Sequence, residues 1–251
     1  MSTTETKGTA LVTGASSGIG AVYADRLARR IARDTGRAVE TVAADLTDAA
    51  DLQRIEHILR TNAGISLLVN NAGVGAAAPL LASDVDKMEE MIGLNVTALT
   101  RLTYAAAPGF VARRNGTIIN ISSIVAIAPE RLNGVYGGSK AFVLALTHSL
   151  VHELADKGVR VQAVLPGATA TEFWDIAGKP LHQLPAAIVM SADDMVDAAL
   201  VGLDLGETVT IPSLPNQAEW DRYDAARRAM SPKLSSTLAA PRYYLHQRLS
   251  A

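Results

Sequence analysis

Short apolar runs alternate with longer stretches of helical periodicity along most of this chain. Thr9-Ala-Leu-Val-Thr13, Ile65–Asn70, Thr117–Ile121 and Val159–Leu165 are of strand length, and Thr117–Ile121 is apolar on both faces. Runs of that kind suit strands of a parallel sheet covered by helices on both sides. Between them, Ala21–Arg30, the segment from Thr47 to Leu59, Asp84–Arg113 and Tyr136–Lys157 carry apolar residues at helical spacing. Gly158 follows the last of these where a helix stop is expected. Ser191-Ala-Asp-Asp reads as a capped helix start, and Thr208–Ile211 as a last short strand. The expected fold is α/β, a doubly wound parallel sheet in three α/β/α layers. A single domain over 1–251 fits, and length alone does not exclude two smaller ones. The Asp84–Arg113 helix is expected to break near Gly93.

The chemistry centres on Gly116–Lys140. A buried strand ends at Ile121, and Ser123 follows at its carboxyl end, where open α/β sheets bind ligands. Tyr136 and Lys140 lie one helical turn apart and share a face if the segment from Val135 is helical. A phenol has a pKa near 10, and a neighbouring ammonium favours its ionised form. A serine hydroxyl beside it can hold a carbonyl or alcohol oxygen. The set reads as a proton donor tuned toward working pH, with an anchor for the reacting oxygen. On its own Tyr-x-x-x-Lys is common on helix faces. Its weight comes from Ser123 and from Gly14-Ala-Ser-Ser-Gly18-Ile-Gly20, which follows a strand and opens a helix. That context lets backbone approach a pyrophosphate at a helix N-terminus.

With these motifs the sequence resembles the short-chain dehydrogenase/reductase family over nearly its whole length. The resemblance rests on T-G-x-x-x-G-x-G, Asn70-Asn71-Ala72-Gly73, Ser123, Tyr136-x-x-x-Lys140 and Pro166-Gly167-x-x-x-Thr171. It implies a catalytic set of Asn95, Ser123, Tyr136 and Lys140. Asn95 would kink its helix and hold a water linking Lys140 to solvent. It implies a cofactor site of Gly14, Ser16, Ser17, Gly18, Ile19 and Gly20, with Asp45 and Leu46 at the adenine. Asn71, Ala72 and Gly73 would lie under the cofactor, and Asn70 would brace the neighbouring strand. Tyr136 and Lys140 would touch the ribose, and Pro166, Gly167, Thr169 and Thr171 would wrap the nicotinamide and reach the phosphates. Asp45 is also a candidate cap for the helix after it. Residues of about 172–190, with Phe173, Trp174 and Leu181, are expected to form a mobile substrate lid. Residues of about 212–251 form a helical extension in which no chemistry is legible.

One stretch departs from the family. Arg30 runs directly into Ile31-Ala-Arg-Asp-Thr-Gly36, which looks like the tail of the family's second helix, and Val39–Asp45 then looks like its third strand. A strand, a turn and most of a helix, on the order of 20 residues, are missing between them. Two readings compete: the protein contains this segment and the sequence joins its flanks, or the deletion is genuine and one sheet strand is lost. The first is favoured, because losing a buried strand would expose the sheet. Glu40 has the count of a ribose-binding acid but starts the expected strand instead of ending one. The preference between NADP and NAD therefore rests on GASSGIG, which resembles NADP-preferring reductases.

Composition narrows the partners. A net charge of −2, without a basic excess, gives no reason to expect nucleic acid or an anionic membrane. The chain has no cysteine, which excludes disulfides and thiolate chemistry, and its five histidines lack metal-ligand spacing. The polar MSTTETKG start reads as no signal peptide, no apolar run reaches membrane length, and a cytoplasmic protein is expected. The reading is an NAD(P)-dependent oxidoreductase for a small carbonyl/alcohol pair, with an apolar substrate and a homodimer or homotetramer built on the two long helices. A non-catalytic nucleotide-binding sensor or scaffold, or an epimerase or dehydratase using the same Tyr and Lys, is the alternative.

Overall fold

A computed structural model defines the backbone of residues 8–35 and 40–243, and the side chains of these except 30–35. The strands are β1 (Thr9–Val12), β2 (Ile65–Asn70), β3 (Gly116–Ile121), β4 (Val159–Val164), β5 (Ala168–Ala170), β6 (Val189–Ser191) and β7 (Val209–Thr210). The helices are α1 (Gly18–Thr35), α2 (Ala49–Thr61), α3 (Val85–Ile92), α4 (Leu99–Arg113), α5 (Gly134–Leu154), α6 (Phe173–Ile176), α7 (Ala192–Asp204) and α8 (Gln217–Met230). Five strands form one parallel sheet in the order β1-β2-β3-β4-β7, and β5 and β6 pair separately.

Because successive strand residues point to opposite faces, Ile118 and Ile119 of the wholly buried β3 enter different cores. Ile118 joins Leu52, Ile55, Leu102, Phe110 and Leu150 from α2, α4 and α5. Ile119 joins Tyr23, Leu27, Met195 and Leu200 from α1 and α7. The result is the expected three-layer α/β/α arrangement. Buried Glu56 of α2 accepts from Arg101 of α4 and from Arg60, tying the helices of one face together.

A buried polar chain crosses the sheet beneath the site. Asn70 Nδ2 donates to Thr103 Oγ1 at 3.0 Å and to Asn120 Oδ1 at 2.9 Å, and Asn120 Nδ2 donates to Thr147 Oγ1 at 3.0 Å. It pins the ends of β2 and β3 to α4 and α5, so Asn70 braces the neighbouring strand as expected.

The region after α1 departs from the sequence reading. The helix runs unbroken across Arg30 and Ile31 to Thr35, so an uninterrupted helix stands where an omitted segment was expected. The strand expected over Val39–Asp45 does not form in its described part. Residues 40–45 are irregular, and Thr41, Val42 and Ala43 are exposed; Val39 lies outside the described residues. An apolar run becomes a strand when a neighbour offers it a ladder and a core, and here it gains neither. Among the described residues β1 is consequently the sheet's edge.

The long helix is interrupted, as anticipated near Gly93, by a π-helical turn over Gly93–Ala98 between α3 and α4. Helix α5 stops at Leu154, short of the expected Lys157, and Gly158 takes φ +72° just before β4. The chain divides into units Met1–Pro212 and Ser213–Ala251. The second holds α8, capped by Asn216, with the Trp220 and Tyr223 rings 5.3 Å apart.

Candidate active site

The carboxyl ends of β1 to β4 carry the site. Asn133 caps α5, accepting from the N–H groups of Val135 and Tyr136, and the following turns place Tyr136, Ser139 and Lys140 on a buried face. Ser123, at the end of β3, hydrogen-bonds the Tyr136 phenol and also donates to Pro166 O at 3.4 Å. The Lys140 ammonium lies 5.8 Å from the Tyr136 ring centre and donates to Ile121 O at 3.0 Å. Ser122 Oγ holds the Lys140 carbonyl at 2.7 Å.

Asn95 sits in the π-helical turn, 1% exposed. Such turns widen a helix locally and occur at functional positions. Its side chain closes two bonds with Val74, donating to the carbonyl at 2.9 Å and accepting from the N–H at 3.0 Å. It also donates to Ser139 Oγ at 3.1 Å, which in turn donates to Tyr136 O at 2.8 Å. A Cβ on Gly73 would lie 2.9 Å from Asn95 Oδ1 and 3.4 Å from Lys140 Nζ. All four predicted catalytic side chains thus converge on one place, held together by backbone groups.

The protonation balance differs from the sequence expectation. Burial pushes the Tyr136 phenol up to about 12, and the opposing pull comes from its bond to Ser123. Burial lowers Lys140 to about 8. Desolvation disfavours both charged forms, and at the phenol it outweighs the contribution of Ser123. The protein by itself therefore keeps Tyr136 protonated at neutral pH instead of acidifying it.

The glycine turn is a backbone cradle. Gly14 and Gly18 take φ +62° and +52°, and a Cβ on Gly20 would come 2.1 Å from Gly14 O. Gly14 to Ser17 are exposed, whereas Ile19 is half-buried and packs on the α1–α7 core. Thr13, which the sequence reading passed over, organises the turn, since its hydroxyl accepts from the N–H groups of Asn71 and Ala72 at 3.0 Å. Asn71 Nδ2 donates to Thr13 O and Gly14 O, so this side chain ties the turn to β2. Across the cleft, Thr171 approaches within 3.2 Å of where a Gly18 Cβ would stand. Trp174 Nε1 donates to Thr169 O at 2.9 Å, fixing the loop that Pro166 and Gly167 open.

Asp45 and Leu46 are placed differently. Exposed Asp45 accepts from the N–H and hydroxyl of Thr47, which holds its carboxyl below the usual range. The cap of α2 is Asp48, not Asp45. Leu46 packs toward the α2–α4 core and lines a 510 Å³ cleft with Gly93 and Thr97. Over the site, the Phe173 ring covers Gly75 and stands 5.6 Å from the Tyr136 ring and 5.4 Å from that of Trp174. The expected lid segment is a series of short helical turns closing on β6, which pairs β5. The sequence reading also missed Ser139, although its place between Tyr136 and Lys140 on a buried helix face was a signal.

A parallel sheet with a glycine turn at its first helix and a Ser–Tyr–Lys–Asn cluster at its carboxyl edge defines a dinucleotide-binding α/β protein with an acid–base centre. Residues 8–180 match the family described as short chain dehydrogenase, and the chain belongs to it. A short-chain dehydrogenase from Sphingobium yanoikuyae, solved in complex with NADPH, is 45% identical with a TM-score of 0.86, covering 94% of this chain and 99% of that one. The bulky-bulky ketone specific alcohol dehydrogenase from Comamonas testosteroni is 39% identical with a TM-score of 0.84, covering 94% and 98%. A very-long-chain 3-oxoacyl-CoA reductase from Anas platyrhynchos is 35% identical over 201 residues, 70% of this chain. The matched region spans 64% of that reductase's own length.

Proposed function

We propose that this protein is an NAD(P)-dependent oxidoreductase that interconverts a carbonyl and an alcohol, with Tyr136 as the acid/base. The observation that carries the reading is the convergence of Tyr136, Ser123, Lys140 and Asn95 beside Gly73. The backbone cradle of Gly14, Gly18 and Gly20 at the start of α1 fits a dinucleotide phosphate. A nicotinamide cofactor, when bound, supplies or accepts the hydride. In reduction, Tyr136 gives its proton to the substrate oxygen, and Ser123 holds that oxygen by a hydrogen bond. Lys140 would offset the negative charge left on the phenolate and would be the residue to hold the cofactor ribose. Asn95, through Ser139 and the Val74 backbone, keeps this arrangement in register.

NADP is the preferred cofactor, in line with the NADPH bound to the Sphingobium relative and the NADP in other solved relatives. The substrate is a small apolar ketone or alcohol, because Phe173, Val125 and Met91 surround Tyr136. The protein works in the cytoplasm; no helix among the described residues is long and apolar enough to cross a membrane. It forms a homodimer or homotetramer through α4 and α5, where Tyr104 and Phe142 are exposed.

Tyr136→Phe tests the reading. Turnover of an apolar ketone should fall about 1,000-fold, within the range for losing a general acid, while NADPH binding by fluorescence titration stays within about threefold. Turnover kept within tenfold of the original would refute the assignment.

A further inference from the structure

Asn133 is 4% exposed and has no part in the chemistry above, yet its side chain uses every hydrogen-bonding position it has. Its carbonyl accepts from Val135 N at 2.8 Å and Tyr136 N at 3.4 Å. Its amide donates to Ala78 O at 2.8 Å and Ser83 Oγ at 2.9 Å. A peptide oxygen can only accept and peptide N–H groups can only donate, so the neighbours fix which end of the amide is which. The Asn133 backbone N–H adds a bond to Ala76 O at 3.3 Å, and Ser83 Oγ donates back to Ala78 O and Pro79 O.

The band that Asn133 grips, Val74–Ser83, is held elsewhere by the site itself. Asn95 brackets Val74, the Phe173 ring lies over Gly75, and Ala77 N donates to Ala177 O at 3.0 Å. The lid is thus stitched to the band, and the band to the turn that presents Tyr136.

We propose that Asn133 is a positioning residue that links the lid and the Val74–Ser83 band to Tyr136, its amide fixing the band and its carbonyl fixing the first turn of α5. The two ends are separable by mutation. Asn133→Asp keeps an acceptor for Val135 and Tyr136 but loses both donors and turns a carboxylate toward Ala78 O. Asn133→Ala loses everything.

Hydrogen exchange on the full chain reads the link without relying on the proposed function. Amides of Val74–Ser83 should exchange at least about tenfold faster in both variants, whereas those of Val135 and Tyr136 should speed up in Asn133→Ala alone. The kinetic consequence rests on the oxidoreductase reading. With an apolar ketone, Asn133→Asp should raise KM about tenfold with a smaller fall in kcat, and Asn133→Ala should also lower kcat about tenfold. Unchanged exchange of Val74–Ser83 in Asn133→Asp would overturn the proposal. So would an equal fall of kcat in both variants with KM unmoved. If the wild-type chain reduces no ketone yet the exchange pattern is found, the link stands and the oxidoreductase reading fails.

Discussion

Around Tyr136, the side chains of Asn95, Lys140 and Ser123 are each held by a neighbour. Asn95 is bonded to Val74 and Ser139, Lys140 to Ile121, Ser123 to Pro166 and to the phenol. At the other end of the cleft the glycine turn rests on β1, which is the sheet's edge among the described residues. There Asp45 is exposed and its carboxylate is engaged by Thr47. In doubly wound sheets the side chain that reads the adenosine ribose stands at the end of the strand beyond the first, and the described residues form no such strand. The half of the site around Tyr136 is built from many mutually fixed groups, and the half at the glycine turn, proposed to hold the adenosine side of the cofactor, from few. Selectivity should therefore be concentrated in the first half.

Gly20→Ala should do the greatest damage. The new Cβ would meet Gly14 O at 2.1 Å, and a backbone oxygen cannot swing aside as a side chain can. Nucleotide affinity should fall at least about 100-fold, equivalent to about 3 kcal/mol, as measured by fluorescence titration. Gly138→Ala is the control, since nothing lies within 4 Å of its Cβ and a mid-helix Gly to Ala change stabilises by about 1 kcal/mol. If Gly20→Ala bound NADPH as the parent does, the few groups of the adenosine side would not include the cradle, and the contrast would need redrawing.

The pH dependence of stability probes the densely built half. Lys140 has its pKa lowered from the ordinary 10.5 to about 8 by burial. Between those values the unfolded chain binds the proton more often than the folded one, so stability rises with pH across the window. Below pH 8 the burial penalty is fully present. Compared with Lys140→Met in urea unfolding, the wild-type chain should gain on the order of 2 kcal/mol between pH 7.5 and 10. Tyr136, raised to about 12, acts oppositely above pH 10 and is common to both proteins. Parallel curves would mean that the ammonium is better hydrated than its packing implies.

The two halves also differ in how much the sequence disclosed. The apolar runs of β2, β3 and β4 read as strands because each is flanked by partners and covered on both faces, so local pattern and tertiary setting agree. Thr41-Val42-Ala43 has the same local character and stays irregular, because no strand among the described residues pairs with it. The four candidate catalytic residues were legible from motif and spacing, and the structure brings them together. Their protonation was not, since the phenol's shift depends on burial that spacing does not encode. Asn133 and Thr13 were missed for a similar reason: each acts on backbone groups far away in sequence, Ala78 and Ser83 for one, Asn71 and Ala72 for the other.

The smallest expected effect is the most telling for the sparse half. The Gly14–Gly20 turn carries no charged residue, and among the described residues no strand end stands beyond β1 to grip a ribose hydroxyl or its 2′-phosphate. The NADP preference should therefore be shallow, with dissociation constants for NADPH and NADH within about tenfold, a difference below about 1.4 kcal/mol. Pyrophosphate contacts at the start of α1, where the cofactor is proposed to bind, would be common to both nucleotides and would not separate them. Titration of the wild-type protein with each reduced nucleotide at one ionic strength decides it. A ratio beyond about a hundredfold would mean that a charged or hydrogen-bonding side chain reaches the ribose from somewhere other than a second strand. The adenosine side would then be as selectively built as the side around Tyr136.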